Sequence, residues 1–266
     1  TYRDLDGDGV VSPREGVDIN RNFPFAWGRF GERGSRTRPE HGRFRGPKAA
    51  SEPESRALMR LARRRSFAAA ISVHTQGTVV LPPYATRGVK QPKKDEAWAV
   101  ASEMARAAPR QLNGRNYRLR RRLYPVDGVW KDWLRFEMGT VAMVVEGPFH
   151  NPLDSSIVEQ SIEQSRALWQ TLLDRTLLGP TITGWVENED GGPVAARVEV
   201  LESAPRAGER WLARRSDGFF VRYLIDDTPH TLRITAPGYE PLEVSTGATD
   251  VAERFVLTRE AVGAAH

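Results

Sequence analysis

Cysteine is missing from these 266 residues, so no disulfide can staple the fold and no thiolate can hold a metal. That absence leaves the compartment open. Lysine is nearly missing too: five occur, at 48, 90, 93, 94 and 131, against 34 arginines. No apolar run reaches the length of a membrane span, so no bilayer crossing is expected. The chain opens on Thr1 with no apolar leader, and any leader is expected to have been removed or to lie upstream. Arginine gathers at Arg60–Arg65 and at Arg118–Arg122. However, 34 acidic residues are interspersed, and the formal net charge is only +5. No recognisable nucleic-acid-binding module accompanies the arginines. They therefore read as solvated groups on helix and strand surfaces, with no nucleic acid as partner, and their excess as a trace of genome composition.

What is present is an ordinary globular composition, with 39% hydrophobic and 27% charged residues. The length allows one large or two small domains. Residues 1 to 48 are rich in Gly, Arg, Pro and Asp, show no helical period, and read as loop. A loop of that length signals function or missing context. Ser51-Glu52-Pro53-Glu54 forms a capping-box pattern that predicts a helix to about Arg65, with Leu58, Leu61 and Ala62 facing inward. Phe67 to His74 predicts a buried strand. Asp95 to Ala108 predicts a helix with Trp98, Ala101 and Met104 or Ala105 inward, ended near Asn113-Gly114. Val141 to Glu146 predicts a second buried strand. Ser155 to Leu178 predicts a long amphipathic helix carrying Ile157, Ile162, Leu168, Leu172 and Leu173 at helical spacing. Helices alternating with buried strands indicate an α/β domain, expected over 1–178.

Gly179-Pro180 closes that pattern, and the texture then changes to short alternating strands with tight turns. Strands are predicted at 183–186, 197–201, 219–223, 231–235 and 242–245, with turn signals at Asp190-Gly191-Gly192 and Asp217-Gly218. This predicts a small antiparallel β-sandwich over 181–259, followed by a frayed tail at 260–266.

Asp18-Ile19-Asn20-Arg21-Asn22-Phe23 is the most informative segment. It sets an amide beside a guanidinium, and a planar guanidinium binds a carboxylate through two parallel hydrogen bonds. The pair suits an enzyme that holds the free C-terminal carboxylate of a peptide. Gly16 to Phe23 (GVDINRNF) resembles the Asn-Arg signature of the zinc metallocarboxypeptidases, the carboxypeptidase A/B family. Further matches follow in the family's order. Ile71-Ser72-Val73-His74-Thr75 resembles the strand ending in the third zinc ligand, Tyr124 the mobile tyrosine of the substrate cap, and Val144-Val145-Glu146-Gly147 the strand with the catalytic glutamate. Tyr124 and Glu146 stand 22 positions apart (146 − 124), as in the pancreatic enzymes, and Asp132-Trp133 between them also matches. The resemblance covers about the first 178 residues. Ser216-Asp217-Gly218-Phe219 and Ala236-Pro237-Gly238-Tyr239 resemble the transthyretin-like, carboxypeptidase-regulatory-like domain that follows the catalytic domain in the carboxypeptidase N/E branch.

The resemblance implies a mixed central sheet flanked by helices, one zinc ion, and roles for particular residues. His74 is implied as a zinc ligand, although a lone histidine after an apolar strand is more often structural. Glu146 is implied as the general base, taking a proton from zinc-bound water and later delivering it to the leaving amine. A glutamate at the end of Val141-Ala142-Met143-Val144-Val145 is costly if buried alone, which itself marks a site; the plainer reading is a glutamate reaching solvent. Asn20 and Arg21 are implied to hold the substrate carboxylate, and Tyr124 to close over it. Thr75 stands where the family usually has serine and keeps the hydroxyl. Lys131 occupies the pocket-floor position before Asp132-Trp133. A cation there favours a carboxylate side chain, so a preference for C-terminal Glu or Asp is expected; the alternative is a lysine pointing to solvent. Arg3, upstream of Asn20, is the candidate for the family's carbonyl-polarising arginine.

A separate signal lies at Asp4-Leu5-Asp6-Gly7-Asp8-Gly9 with Glu15, which fits the calcium-loop pattern D-x-D-x-D-G-x5-E. Asp4, Asp6, Asp8 and Glu15 would give carboxylate oxygens, Val10 a carbonyl, and Gly9 the turn. A plain acidic turn is the alternative, because no helix precedes it.

The family's other two zinc ligands form a His-x-x-Glu pair ahead of the Asn-Arg motif, and none occurs before Asn20. His41 and Glu32 come after it with the wrong spacing. The chain is therefore expected to be the C-terminal part of a longer enzyme, partnered by the missing N-terminal segment, secreted or periplasmic, and acting on peptide or protein C-termini. The alternatives are a non-catalytic calcium-binding or adhesion module, and a related amidohydrolase acting on acyl-amino acids or cell-wall peptides.

Overall fold

An unbroken apolar run such as 141–145 has no polar face to offer water, so it belongs between two layers. The structure, a computed structural model, describes residues 4, 7–12, 15–75, 77–91, 95–111, 113–148, 155–203, 208–247 and 252–261. In it, β1 (Ala69–His74), β2 (Val79–Leu81), β3 (Arg118–Leu119) and β4 (Val141–Glu146) form one mixed sheet in the order β1-β4-β2-β3. β1 runs parallel to β4, β2 antiparallel to β4, and β3 parallel to β2. The mixed sheet flanked by helices agrees with the expected α/β architecture.

The two faces of β4 sort its side chains by alternation. Val141, Met143 and Val145 pack with α2 (Glu96–Ala107) and α4 (Ser155–Leu178) through Val100, Met104, Leu168 and Leu172. On the other face, Ala142 joins Met59 of α1 (Pro53–Arg65), and Trp133, Leu134 and Met138 of α3 (Trp130–Met138). His74 and Glu146, paired in register at the ends of adjacent parallel strands, stand on this second face.

Several expected details are corrected. The capping box before α1 does not form. Glu52 is the N-cap and its side chain makes no capping bond to the helix; its N–H donates to Asn22 Oδ1 at 3.2 Å. The buried side of α1 is Ser55, Met59 and Ala62, while Leu58 (51% exposed) and Leu61 (37%) face away. β1 is half-buried rather than buried, because it is an edge strand with Val73 exposed. Trp98 lies at the rim of α2, under the Arg121 guanidinium, and Ala97 and Val100 take its place inside. On α4, Leu168 and Leu172 are buried but Ile162 and Leu173 are exposed. The tail beyond 261 lies outside the described residues.

The strands β5 (Thr181–Asn188), β6 (Arg197–Val200), β7 (Phe219–Tyr223), β8 (His230–Thr235), β9 (Leu242–Thr246) and β10 (Glu253–Leu257) build two three-stranded sheets, β10-β5-β7 and β6-β8-β9. Their inner residues, including Ile182, Val198, Phe220, Ile234 and Phe255, share one core. β10 pairs parallel to β5, so the region is not wholly antiparallel as expected. It abuts the α/β part directly: Arg175 donates to the Leu224 carbonyl, and the Arg210 N–H donates to the Phe136 carbonyl.

Candidate active site

Motif residues scattered from Asp18 to Glu146 line one open cleft of about 620 Å³. Asn20, Arg21, His74, Tyr124, Lys131 and Glu146 all reach it. Asn20 and Arg21 sit in a single 3-10 turn, Ile19–Arg21, capped by Asp18, whose carboxylate accepts the Asn20 N–H at 2.9 Å. Asn20 Oδ1 accepts the N–H of Trp130 at 3.2 Å, which fixes the amide and leaves its NH2 as a donor. Arg21 is buried to 4% exposure. It donates to its neighbour's carbonyl at 2.7 Å and to Tyr124 Oη at 3.2 Å. Backbone packing brings these groups together. The Phe23 N–H donates to the Gly128 carbonyl at 3.0 Å, and a Cβ at Gly128 (φ +63°) would stand 2.4 Å from the Arg21 carbonyl oxygen. Only glycine fits that approach comfortably.

Tyr124 is half-exposed, with two guanidinium groups near its ring. Arg21 lies 5.9 Å and Arg43 5.6 Å from the ring centroid. Burial lowers the His74 pKa, opposed by Asp18 and reinforced by Arg21, so its imidazole is held neutral. His74 Nε2 meets Ser72 Oγ at 2.9 Å. Burial raises the Glu146 carboxyl above the usual range, and Arg21 opposes that shift. Such a group is displaced toward the pKa a general base needs near neutral pH.

Lys131 is buried rather than solvated. Its Nζ donates to the Pro82 carbonyl at 2.7 Å and to Asp132 Oδ1 at 3.3 Å, and burial lowers its pKa against the pull of Asp132. Arg121 and Arg122 also line the cleft, which corrects the reading of the 118–122 cluster as wholly solvated. Their place just ahead of Tyr124 was the one signal that could have marked them. Arg121 pairs with Asp95 and donates to the Pro83 carbonyl; Arg122 donates to the Ala85 carbonyl at 3.3 Å. Thr75 stays on the exposed turn beside Gly147, outside the cleft lining.

A neutral imidazole is what a zinc ligand must be, and His74 fits that requirement. Yet catalytic zinc takes three protein ligands, and no group of three His, Cys, Asp or Glu gathers among the described residues. The described donor set therefore does not complete a zinc site. The calcium loop fares similarly. Asp4 accepts the N–H of Gly7 and Gly9 at 2.7 and 3.0 Å, Asp8 that of Val10, and Glu15 that of Ser12. These are the bonds of a turn, and no calcium ligand cluster stands among the described residues. Asp6 and Arg3 lie outside the described residues.

Residues 6–164 match the family model described as zinc carboxypeptidase. Carboxypeptidase O of Bos taurus is 30% identical over 125 residues, which cover 45% of this chain and 32% of that protein. The match thus spans about a third of the curated relative's length. Bovine thrombin-activatable fibrinolysis inhibitor, solved with tick carboxypeptidase inhibitor, aligns with a TM-score of 0.55 at 21% identity, over 65% of this chain and 60% of that one. A structure of thrombin-activatable fibrinolysis inhibitor aligns at 0.52 and 22%, over 65% and 46%. At these identities the structures share the fold alone.

Proposed function

Because this chain belongs to the zinc carboxypeptidase family, we propose that it carries the substrate-binding part of a metallocarboxypeptidase site, in an enzyme that releases the C-terminal amino acid of peptides. The observation that carries the reading is the convergence of Asn20, Arg21, His74, Tyr124, Lys131 and Glu146 on one cleft. Arg21 and the Asn20 amide bind the substrate's terminal carboxylate, and Tyr124 closes over it with its hydroxyl as donor. Glu146 takes a proton from the attacking water onto its carboxylate and returns it to the leaving amine. Zinc in such sites acidifies a water and polarises the scissile carbonyl. His74 would supply one of its ligands, and the others would come from polypeptide additional to the described residues. The open edge of β1, beside His74, and the exposed Leu58 and Leu61 of α1 give that polypeptide a surface to join. A secreted or periplasmic location goes with this reading.

Residues 1–178 form the catalytic part. We read 181–259 as a transthyretin-like module, supported by the shared core of its two sheets. The side-chain preference is for C-terminal Glu or Asp. Lys131, Arg121 and Arg122 line one wall of the cleft, the first two paired with Asp132 and Asp95 and Arg122 with no carboxylate partner among the described ion pairs, and a cation in a desolvated pocket favours an opposite charge. Cleavage of matched peptides ending in Glu, Lys and Phe by the zinc-loaded full-length protein tests both statements. The Glu peptide should turn over fastest and a chelator should stop all three. Equal rates, or a preference for Lys, end the acidic reading.

A further inference from the structure

The three cations that line the cleft share one backbone segment, 82–86, as an acceptor, and Arg121 is held by Asp95 as well. Lys131 donates to the Pro82 carbonyl at 2.7 Å, Arg121 to that of Pro83, and Arg122 to that of Ala85 at 3.3 Å. Asp132, the counter-charge of Lys131, accepts the N–H of Ala85 at 2.9 Å and of Thr86 at 2.8 Å. A shift of this segment therefore disturbs a hydrogen bond of each of the three cations. Ala85 lines the cleft, while its neighbour Tyr84 turns the other way, 1% exposed, and donates from its hydroxyl to Glu209 of the β region.

Glu209 is itself 2% exposed, and its second oxygen has no hydrogen-bond partner among the described residues. Arg135 of α3 stands 3.7 Å from it, pairs with Glu96 of α2, and lies 4.3 Å over the ring of Trp211, two residues along from Glu209. Arg222 of β7 is buried nearby, donating to the Trp211 carbonyl. A buried, partly satisfied carboxylate is a poor device for stability alone, since well-packed apolar residues hold an interface at less cost. What this arrangement adds is geometry: a rigid link from the β region to the segment that the three cations share.

We propose that Glu209, acting through Tyr84, is a positioning residue for the basic wall of the cleft, so that the β region takes part in selecting the substrate's C-terminal side chain. This deepens the carboxypeptidase reading and rests on it for the identity of the ligand.

The test uses Tyr84→Phe, which removes only the hydroxyl, Glu209→Ala, and Glu209→Gln, which keeps an acceptor for it. Amide exchange at Ala85 and Thr86 reads the segment directly. Calorimetry with N-acetyl-L-glutamate and N-acetyl-L-phenylalanine on the full-length protein reads the wall. Loss of one buried hydrogen bond should speed exchange at Ala85 and Thr86 about tenfold, and should weaken the glutamate ligand about fivefold. Affinity for the phenylalanine ligand should change less than about twofold, and Glu209→Gln should restore both readouts. Unchanged exchange at 85 and 86, or equal losses for both ligands, overturns the proposal. A wild-type protein that binds neither ligand overturns the carboxypeptidase reading of the cleft, and the exchange measurement still decides the positioning role. Should Glu209→Ala not fold, Tyr84→Phe carries the same comparison.

Discussion

Asn22, one residue beyond the Asn20-Arg21 pair, is fully buried and uses both ends of its amide. Its Nδ2 donates to the Arg45 and Lys48 carbonyls and to Ser51 Oγ, and its Oδ1 accepts the Glu52 N–H. The side chain therefore fastens the 16–23 motif to the start of α1. Asn22→Ala should cost about 3 kcal/mol, read as a lower urea midpoint with unchanged slope. Glu146→Gln should act oppositely: it keeps the shape, leaves stability within about 0.5 kcal/mol, and lowers kcat about a thousandfold in steady-state assays. The residues that converge on the cleft were legible because motifs announce them: an amide beside a guanidinium, a histidine and a glutamate at strand ends. Arg121 and Arg122 were not, since an arginine's burial is decided by the carbonyls that receive it, here Pro83 and Ala85, which are remote in sequence.

At the scale of elements, long segments with one strong period were readable. Both α4 and β4 fall where the sequence puts them, at Ser155–Leu178 and Val141–Glu146. β2 and β3 were missed, because three and two residues are too few to display an alternation. α3 was missed because its N-cap is Val129, with no side-chain cap; the cap bond to Trp130 comes from Asn20, far back in the chain. The rotation of α1 was misread because both of its sides are apolar, Leu58 and Leu61 on one, Met59 and Ala62 on the other. A pair of substitutions separates them. Met59→Ala should cost about 2–4 kcal/mol in thermal or chemical unfolding of this chain, and Leu58→Glu no more than about 0.5 kcal/mol. The reverse order would mean that the helix packs by its other side.

For the whole molecule, the junction of the α/β part with the β region is charged and buried, and its behaviour with pH follows. Burial pushes the Glu209 carboxyl up to about 8; Arg135 and the Tyr84 hydrogen bond oppose this, Glu96 adds to it, and Arg197 draws it down. Arg222, its own pKa lowered by burial, adjoins the same group. A carboxyl whose folded pKa lies above its unfolded value contributes fully below the unfolded value. That contribution is lost as pH rises through the folded one. Stability should therefore fall between roughly pH 4.5 and 8, and Glu209→Gln should flatten this part of the profile, measured as urea midpoints at pH 5, 7 and 9. A slope unchanged in the variant would assign the pH dependence to other groups.

In the proposed reaction, Asn20 and Arg21 hold a free terminal carboxylate while Glu146 drives hydrolysis of the bond beside it. One comparison reaches it most directly: incubating the zinc-loaded full-length protein with a peptide ending in glutamic acid and with the same peptide amidated at its C-terminus, and measuring the amino acid released. Stepwise release is expected from the free acid, with a loss of about a hundredfold or more with the amide and of about a thousandfold with Glu146→Gln. Equal release from acid and amide, or none from either, would contradict it.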